Sequence, residues 1–242
     1  MMQNDNSNMD RYSIILVGTE DERNIGFTAR VMANFGLSFL ILVSPQCKIT
    51  ETAYILARHA SSILDNVTIY DTLNQLAQHF NVLIGTTARV SYNSNTRRLA
   101  YNLRDFLPLI ADYDGKIGFV FGRESSGLTN NEIDHLDFIV TIPTSPSYPA
   151  LNLSHAVGII AYELFVNTKT KSKGFKLADS KHKEILFDYV NHILTLIEYP
   201  NFKKKILIRT LKNLLGRSLI SMRELYALLG FFRRIKYHLQ SC

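Results

Sequence analysis

The chain has 242 residues, 46% hydrophobic and 20% charged, a balance that excludes disorder throughout and suits one sizeable domain with a small appendage. Six Pro and 12 Gly exclude collagen-like sequence, and no apolar run approaches the roughly 20 residues a membrane-spanning helix needs. The formal charge of +6 is unevenly spread: residues up to Asn167 carry 11 Lys and Arg against 16 Asp and Glu, a net −5, and Thr168 onward carries 16 against 5, a net +11.

The opening MMQNDNSNMD lacks both the basic start and the apolar centre of a signal peptide. It is expected to be a loose polar tail over residues 1–11, and the expected address is the cytoplasm. From Tyr12 to about Phe165, short apolar runs alternate with segments of helical period. The runs are 12–18, 37–43, 67–70, 81–86, 116–122 and 137–142. They are nearly continuous in Ile, Val and Phe rather than alternating, which predicts an α/β domain around a mostly parallel sheet of about six strands buried on both faces. Between them TARVMANFG, ETAYILARHASSIL, DTLNQLAQHF and LRDFLPLIADY have helical spacing, with Asp71 as a helix cap. A last helix over about 152–166 puts Ala156, Val157, Ile160, Ala161 and Leu164 on one stripe.

Residues 167–180 have the polar, basic composition of an exposed linker, which places the domain boundary there. Beyond it, over 181–242, three stripes predict a small all-helical domain. They are Phe187, Val190, Leu194 and Ile197; then Ile208, Leu211 and Leu215; then Leu225, Leu228, Leu229, Phe232 and Ile235. The basic excess of this part points to a polyanion, nucleic acid first, with a solvated basic face as the plainer alternative.

Common ligand signatures are missing. GTEDERNIGFTAR follows the first strand with no G-x-G-x-x-G, and no G-x-x-x-x-G-K-[ST] occurs, so hydride transfer and nucleotide hydrolysis drop in rank. His59, His79, His135, His155, His182, His192 and His238 lack metal-ligand spacing, Cys47 and Cys242 are too few for a disulfide framework, and no G-x-S-x-G is present. No metal is expected, and both thiols are expected to be reduced. Three polar segments stand instead at the carboxyl ends of strands, where an open parallel sheet binds ligands. They are Asn24-Ile25-Gly26-Phe27-Thr28-Ala29-Arg30, with Asn24 at a helix start; Gly122-Arg123-Glu124-Ser125-Ser126-Gly127-Leu128; and 142–156, IPTSPSYPALNLSHA, entering a helix begun by Asn152. Each alone also reads as an ordinary cap, turn or proline loop.

In this order the trio N-I-G-x-x-A-R, F-G-x-E-x-x-G-L and I-P…L-N-L-S-x-A resembles the SPOUT class of RNA methyltransferases, specifically the SpoU-type ribose 2'-O-methyltransferases of the TrmJ branch that acts on tRNA. The resemblance covers about residues 12–166, and more loosely the basic tail. It implies a deep trefoil knot in the C-terminal half of the sheet, a homodimer in which each site borrows residues from its neighbour, and S-adenosylmethionine as cofactor. By the same resemblance Thr86, Thr87, Ala88, Gly122, Ile142, Pro149, Ala150 and Leu151 line the cofactor pocket. Arg30, Asn24, Glu124 and Asn152 form the catalytic set, with Arg30 at the ribose hydroxyl. A guanidinium with pKa above ~12 is a poor base, so placing a phosphate and stabilising a developing alkoxide is its easier role.

One position departs from the pattern. Many members have Ser where this chain has Ala150, so a hydroxyl is missing, with Ser147, Tyr148 or Ser154 as substitutes. Arg30 together with Lys203, Lys204, Lys205, Arg209, Lys212, Arg217, Arg233 and Arg234 is expected to contact RNA. The resemblance favours tRNA, at nucleotide 32 of the anticodon loop, cytidine and other bases included. Ribosomal RNA, a catalytically silent RNA-binding role, or a DNA-binding regulator with a helix-turn-helix near Gly216 are the alternatives.

Overall fold

A computed structural model describes residues 9–88, 100–111, 113–167 and 175–240, the side chains of Phe175, Lys176 and Arg217 excepted. The run YSIILV is strand β1 (Tyr12–Val17), buried at every position because both faces of the sheet are covered. Chain order continues with α1 (Glu22–Asn34), β2 (Phe39–Val43), α2 (Glu51–Ala57), α3 (Ser61–Asp65), β3 (Thr68–Tyr70), α4 (Leu73–Ala77) and β4 (Val82–Thr86). Then come β5 (Ala100–Asn102), α5 (Leu103–Ala111), β6 (Tyr113–Asp114), β7 (Ile117–Phe121), α6 (Asn130–Ile133), β8 (Phe138–Thr141) and α7 (Leu153–Asn167). The last part holds β9 (Phe175–Lys176), α8 (Ser180–Leu196), α9 (Asn201–Arg217) and α10 (Met222–Gln240).

Seven strands form one parallel sheet in the order β3-β2-β1-β7-β4-β8-β5. The chain builds outward from β1 to β3, crosses to β4, and later inserts β7 and β8 between strands already laid down. The alternation of side chains along each strand divides the core in two. Ile14, Leu16, Ile84, Phe119 and Phe121 pack under Ile25, Met32, Phe106, Val157 and Ile160 of α1, α5 and α7. Ile15, Val17, Leu83 and Val120 face the opposite way, toward Leu73, Leu76, Phe80, Leu128 and Ile133. Each such side chain contributes roughly 1.5–3 kcal/mol by leaving water, so the sheet centre fixes where the strand ends emerge.

All six expected runs are strands, and β5 is a seventh at the edge. Several expectations need correcting. The segment expected as one helix over 51–64 is broken at Arg58, which has φ 55° and begins a 3-10 turn, Arg58–Ala60, between α2 and α3. The cap of α4 is Thr72, whose hydroxyl accepts from the Gln75 N–H, and not Asp71. The loose tail expected to residue 11 ends earlier: Met9 is buried, and the Arg11 guanidinium holds the carbonyls of Ala111 and Tyr113. Within the expected linker, β9 pairs with β6, Ala178 is buried and Asp179 caps α8; residues 168–174 lie outside the described residues, as does Cys242.

The three C-terminal helices enclose a small core of Ala178, Leu186, Ile220 and Leu225. On α8 the buried stripe is Leu186, Val190 and Leu194, one position away from the expected Phe187, while Ile197 is 49% exposed. Phe187 turns instead toward α9, where the Lys212 ammonium lies 5.5 Å from its ring centre. The helices dock on the amino ends of the strands. Lys183 Nζ donates to the Asn81 carbonyl and to Asp137 Oδ1, both 3.1 Å, and Ser180 Oγ donates to the Phe80 carbonyl at 2.8 Å. Gly216 permits the fit, since a Cβ there would lie 3.0 Å from the Asp137 carbonyl oxygen. Among the described residues no helix is long and apolar enough to cross a membrane.

Candidate active site

The carboxyl ends of β1, β4, β7 and β8 open together near the point where the strand order reverses, the place where such sheets leave a crevice. At the end of β1, Gly18 has φ 64°, and a Cβ on it would come 2.6 Å from Arg123 Nε, so glycine serves both the turn and the passage of Arg123. The Asp21 carboxylate then caps α1. Asn24 is therefore the third residue of the helix and not its cap; its buried amide looks back toward the strand ends. Gly26 has a packing role: a Cβ there would lie 2.4 Å from the Ala53 carbonyl oxygen, and its absence lets α1 and α2 close up.

Asn24 joins the three loops. Its Nδ2 donates to Glu124 Oε1 at 2.8 Å, and its Oδ1 accepts from Asn152 Nδ2 at 3.0 Å. Asn152 Oδ1 in turn accepts from the Ser154 N–H and hydroxyl at 2.9 and 2.8 Å, which starts α7. Side chains 128 positions apart are thus linked through one buried amide.

The β7 loop is closed on itself between Arg123 and Gly127 and is clamped from two sides. The Glu20 carboxylate accepts from the Ser125 N–H at 3.1 Å and its hydroxyl at 2.7 Å, while the Glu20 N–H donates to Glu124 Oε2 at 3.0 Å. Glu20 was not legible as a site residue; the only hint is a carboxylate two residues beyond the glycine that ends β1. On the other side, the Arg123 guanidinium donates to both oxygens of Glu132, at 3.0 and 3.1 Å, and Glu132 also completes a capping box with Thr129. Burial raises the Glu132 pKa, but the Arg123 hydrogen bonds, the Thr129 N–H and the Arg123 charge together outweigh it, leaving the carboxyl below its ordinary range.

The third loop leaves β8 and is held by the Thr144 hydroxyl, which donates to the Pro149 carbonyl at 3.0 Å. Tyr148 at its tip is 81% exposed. Of the hydroxyls expected to replace the one missing at Ala150, Ser154 is committed to Asn152 and Ser147 pairs with Ser145.

The end of β4 and the β7 and β8 loops surround a cavity of about 210 Å³, whose lining does not include Asn24 or Asn152. All eight residues expected around a cofactor line it: Thr86, Thr87, Ala88, Gly122, Ile142, Pro149, Ala150 and Leu151. Glu124 lines it too, with Leu128, Ile133 and Ile139 supplying apolar wall. Among the described residues the cation on the wall, Arg123, is neutralised by Glu132. Nearby charge is negative: burial first, then Glu124, Asp21 and Glu22, push the Cys47 thiol above its ordinary range. Arg30 is not brought in. It stands on the exposed face of α1 and forms no hydrogen bond or ion pair among the described residues.

The basic helices are not at this cavity either, since they dock at the other end of the strands. Several of their cations are engaged: Arg209 lies 3.7 Å from Asp134, Lys204 donates to the Thr195 hydroxyl, and Lys203 and Lys212 lie over Phe202 and Phe187. Lys205, Arg233 and Arg234 are exposed with no ion pair among the described residues, and the Arg217 side chain lies outside them.

Comparison with known proteins finds relatives that match nearly the whole chain. The tRNA (cytidine-2'-O-)-methyltransferase TrmJ of Methanocaldococcus jannaschii is 36% identical over 225 residues, covering 91% of this chain and 98% of its own length. The tRNA (cytidine/uridine/adenosine-2'-O-)-methyltransferase TrmJ of Pseudomonas aeruginosa is 32% identical and covers 92% of each chain. Among solved structures, TrmJ from Z. mobilis superposes with a TM-score of 0.75 at 26% identity, over 93% of this chain and 98% of its own. Residues 11–162 match the SpoU rRNA Methylase family, and the chain belongs to that family.

Proposed function

We propose that the protein is an S-adenosylmethionine-dependent tRNA 2'-O-ribose methyltransferase acting in the cytoplasm on nucleotide 32 of the anticodon loop, cytidine included. The observation that carries this reading is the convergence of the β4 end, the β7 loop and the β8 loop on one cavity, with Asn24 tied to Glu124 and Asn152 behind it. The wall suits the cofactor. Small residues at Ala88, Gly122, Gly127 and Ala150 leave backbone groups reachable, the apolar side suits a flat heterocycle, and Glu124 on the wall with Arg123 neutralised by Glu132 suits a sulfonium. The names of the relatives, which cover nearly the whole chain, support tRNA and the ribose hydroxyl.

Held there, S-adenosylmethionine would supply an electrophilic methyl group for the ribose 2'-oxygen, with S-adenosylhomocysteine as the leaving group and the hydroxyl proton released to water. The chain's part is orientation, worth several kcal/mol of barrier in such reactions. Thr86–Ala88, Gly122 and Pro149–Leu151 hold the donor, while Asn24, Glu124 and Asn152 fix the loops relative to one another. Arg30 stays protonated and places a substrate phosphate while stabilising charge on the 2'-oxygen. Its position off the cavity wall fits a homodimer in which α1 presents it to the partner's site. Exposed Phe27, Leu151, Tyr162 and Phe165 on α1, α7 and the adjoining loop supply an apolar face for that pairing. The late insertion of β7 and β8 between earlier strands supports reading a trefoil knot in the C-terminal half of the sheet.

The test is transfer of tritium from methyl-labelled S-adenosylmethionine to an unmodified tRNA transcript, with ribosomal RNA in parallel. Label in tRNA alone is expected. Label in ribosomal RNA alone would move the substrate, and no label with no cofactor binding would leave a silent RNA-binding protein.

A further inference from the structure

Helix α10 packs Leu225, Leu228, Leu229 and Phe232 inward against the small C-terminal core. Its outer face carries Arg223, Gly230, Phe231, Arg234 and Tyr237, bordered by Tyr226, whose ring meets His182 of α8 edge-on at 5.5 Å. Phe231 and Tyr237 are 61% and 64% exposed. Phe231 is nevertheless held in place, because its ring meets the half-buried Phe232 edge-on at 5.4 Å.

Gly230 adds a second observation. It lies in the middle of a 19-residue helix, where glycine costs about 1 kcal/mol relative to alanine. A Cβ on it would meet nothing within 4 Å. No neighbour among the described residues requires a glycine there, and the bare backbone leaves room for the close approach of something from outside. The charge of the face chooses the occupant. Arg223, Arg233 and Arg234 are exposed on this helix, and its one acid, Glu224, is already accepting from the Ser221 N–H and hydroxyl. A second copy of the same cationic face is repelled, whereas an RNA strand brings phosphates for the arginines and base faces for the rings.

We propose that the outer face of α10 is a stacking platform for unpaired nucleotides of the RNA substrate, with Phe231 and Tyr237 under bases, Arg234 at a phosphate and Gly230 as the notch admitting the sugar-phosphate chain. This rests on the reading of the protein as an RNA methyltransferase and adds a contact mode to it: the distal helices read single-stranded RNA and do not merely attract charge. Phe231 and Tyr237 stand about 9 Å apart along the axis at 1.5 Å per residue, so the rings serve different bases.

The experiment measures binding of unmodified tRNA transcript to the full-length protein over a salt series, with tritium transfer and sedimentation on the same samples. Phe231→Ala and Tyr237→Ala are each expected to weaken binding by about fivefold or more while leaving the slope of log K against log[salt] unchanged. Arg234→Ala is expected to reduce that slope by about 1, and Phe231→Trp to retain affinity. Gly230→Ala separates docking from folding: it is expected to raise the melting temperature by about 2 °C or more and yet weaken tRNA binding. Wild-type affinity in Phe231→Ala, Tyr237→Ala and Gly230→Ala, with transfer intact, would overturn the platform and leave the methyltransferase reading standing. Loss of self-association in these variants with tRNA affinity unchanged would make the face an interface between copies. A wild-type protein that neither binds nor methylates RNA would end both proposals.

Discussion

Gly122→Ala is the sharpest perturbation of the cavity. A Cβ at that position would sit 2.2 Å from the Gly127 carbonyl carbon, 2.3 Å from the Leu128 nitrogen and 2.6 Å from the Gly127 oxygen. All three are backbone atoms, so no rotamer change relieves them. Ordinary carbon contacts begin near 3.5 Å, and the 123–127 turn must therefore move by about 1 Å. The turn is fastened by Glu20, Asn24 and the Arg123–Glu132 pair, and overpacking of this kind costs about 1–3 kcal/mol. For a chain of this size that is a fall of about 2–10 °C in melting temperature. Displacing a lining loop by 1 Å also costs about a hundredfold in rate. Gly127→Ala is the control, because it introduces no clash and only left-handed strain at φ 71°, about 1–2 kcal/mol. The assay combines thermal melting, calorimetry with S-adenosylmethionine and single-turnover methyl transfer. Gly122→Ala is expected to lose most cofactor affinity and transfer, and Gly127→Ala to lose less of both. If Gly122→Ala melts, binds and transfers like the wild type, the packing of the β7 loop does not shape the cofactor site.

Gly26→Ala should lower the melting temperature, although the same change in an ordinary exposed helix raises it, because the added methyl meets the Ala53 carbonyl at 2.4 Å; a stabilised variant would refute the close α1–α2 approach. Arg30→Ala should leave melting and cofactor affinity unchanged and reduce methyl transfer by at least about a hundredfold, and near-normal transfer would remove Arg30 from the mechanism. Glu132 has a lowered pKa in the folded chain, so its contribution to stability is present above the ordinary carboxylate pKa and is lost as pH falls through the folded value. Cofactor affinity of the wild type should therefore decline in acid below about pH 4.5, and Glu132→Gln should show weak, flatter binding across the same range; identical profiles would dismiss the Arg123–Glu132 clamp.

Much of the sheet was legible because strands buried on both faces write themselves as unbroken Ile, Val and Phe runs. Strands β5, β6 and β9 were not, since two or three residues at an edge or in a small ribbon carry no such run. The break at Arg58 was invisible because apolar spacing continues through ETAYILARHASSIL while the backbone takes a positive φ within it. On α8, Phe187 and Leu186 are equally apolar, and only packing against α10 decides which one is buried. Asn24, Glu124 and Asn152 could be singled out by motif, yet their direct linkage could not, because it depends on three strand ends meeting. Glu20 escaped notice because a carboxylate in an acidic stretch, Glu20-Asp21-Glu22, carries no pattern of its own; its role comes from the Ser125 N–H opposite.

Nucleoside mass spectrometry of tRNA treated with the purified protein and S-adenosylmethionine tests the central claim most directly. A single new 2'-O-methyl group is expected at nucleotide 32, absent when the Asn24→Ala or Gly122→Ala protein is used. Methylation on a base, or ribose methylation that persists in both variants, would contradict the assignment of this cavity as the place where the ribose hydroxyl meets its methyl donor.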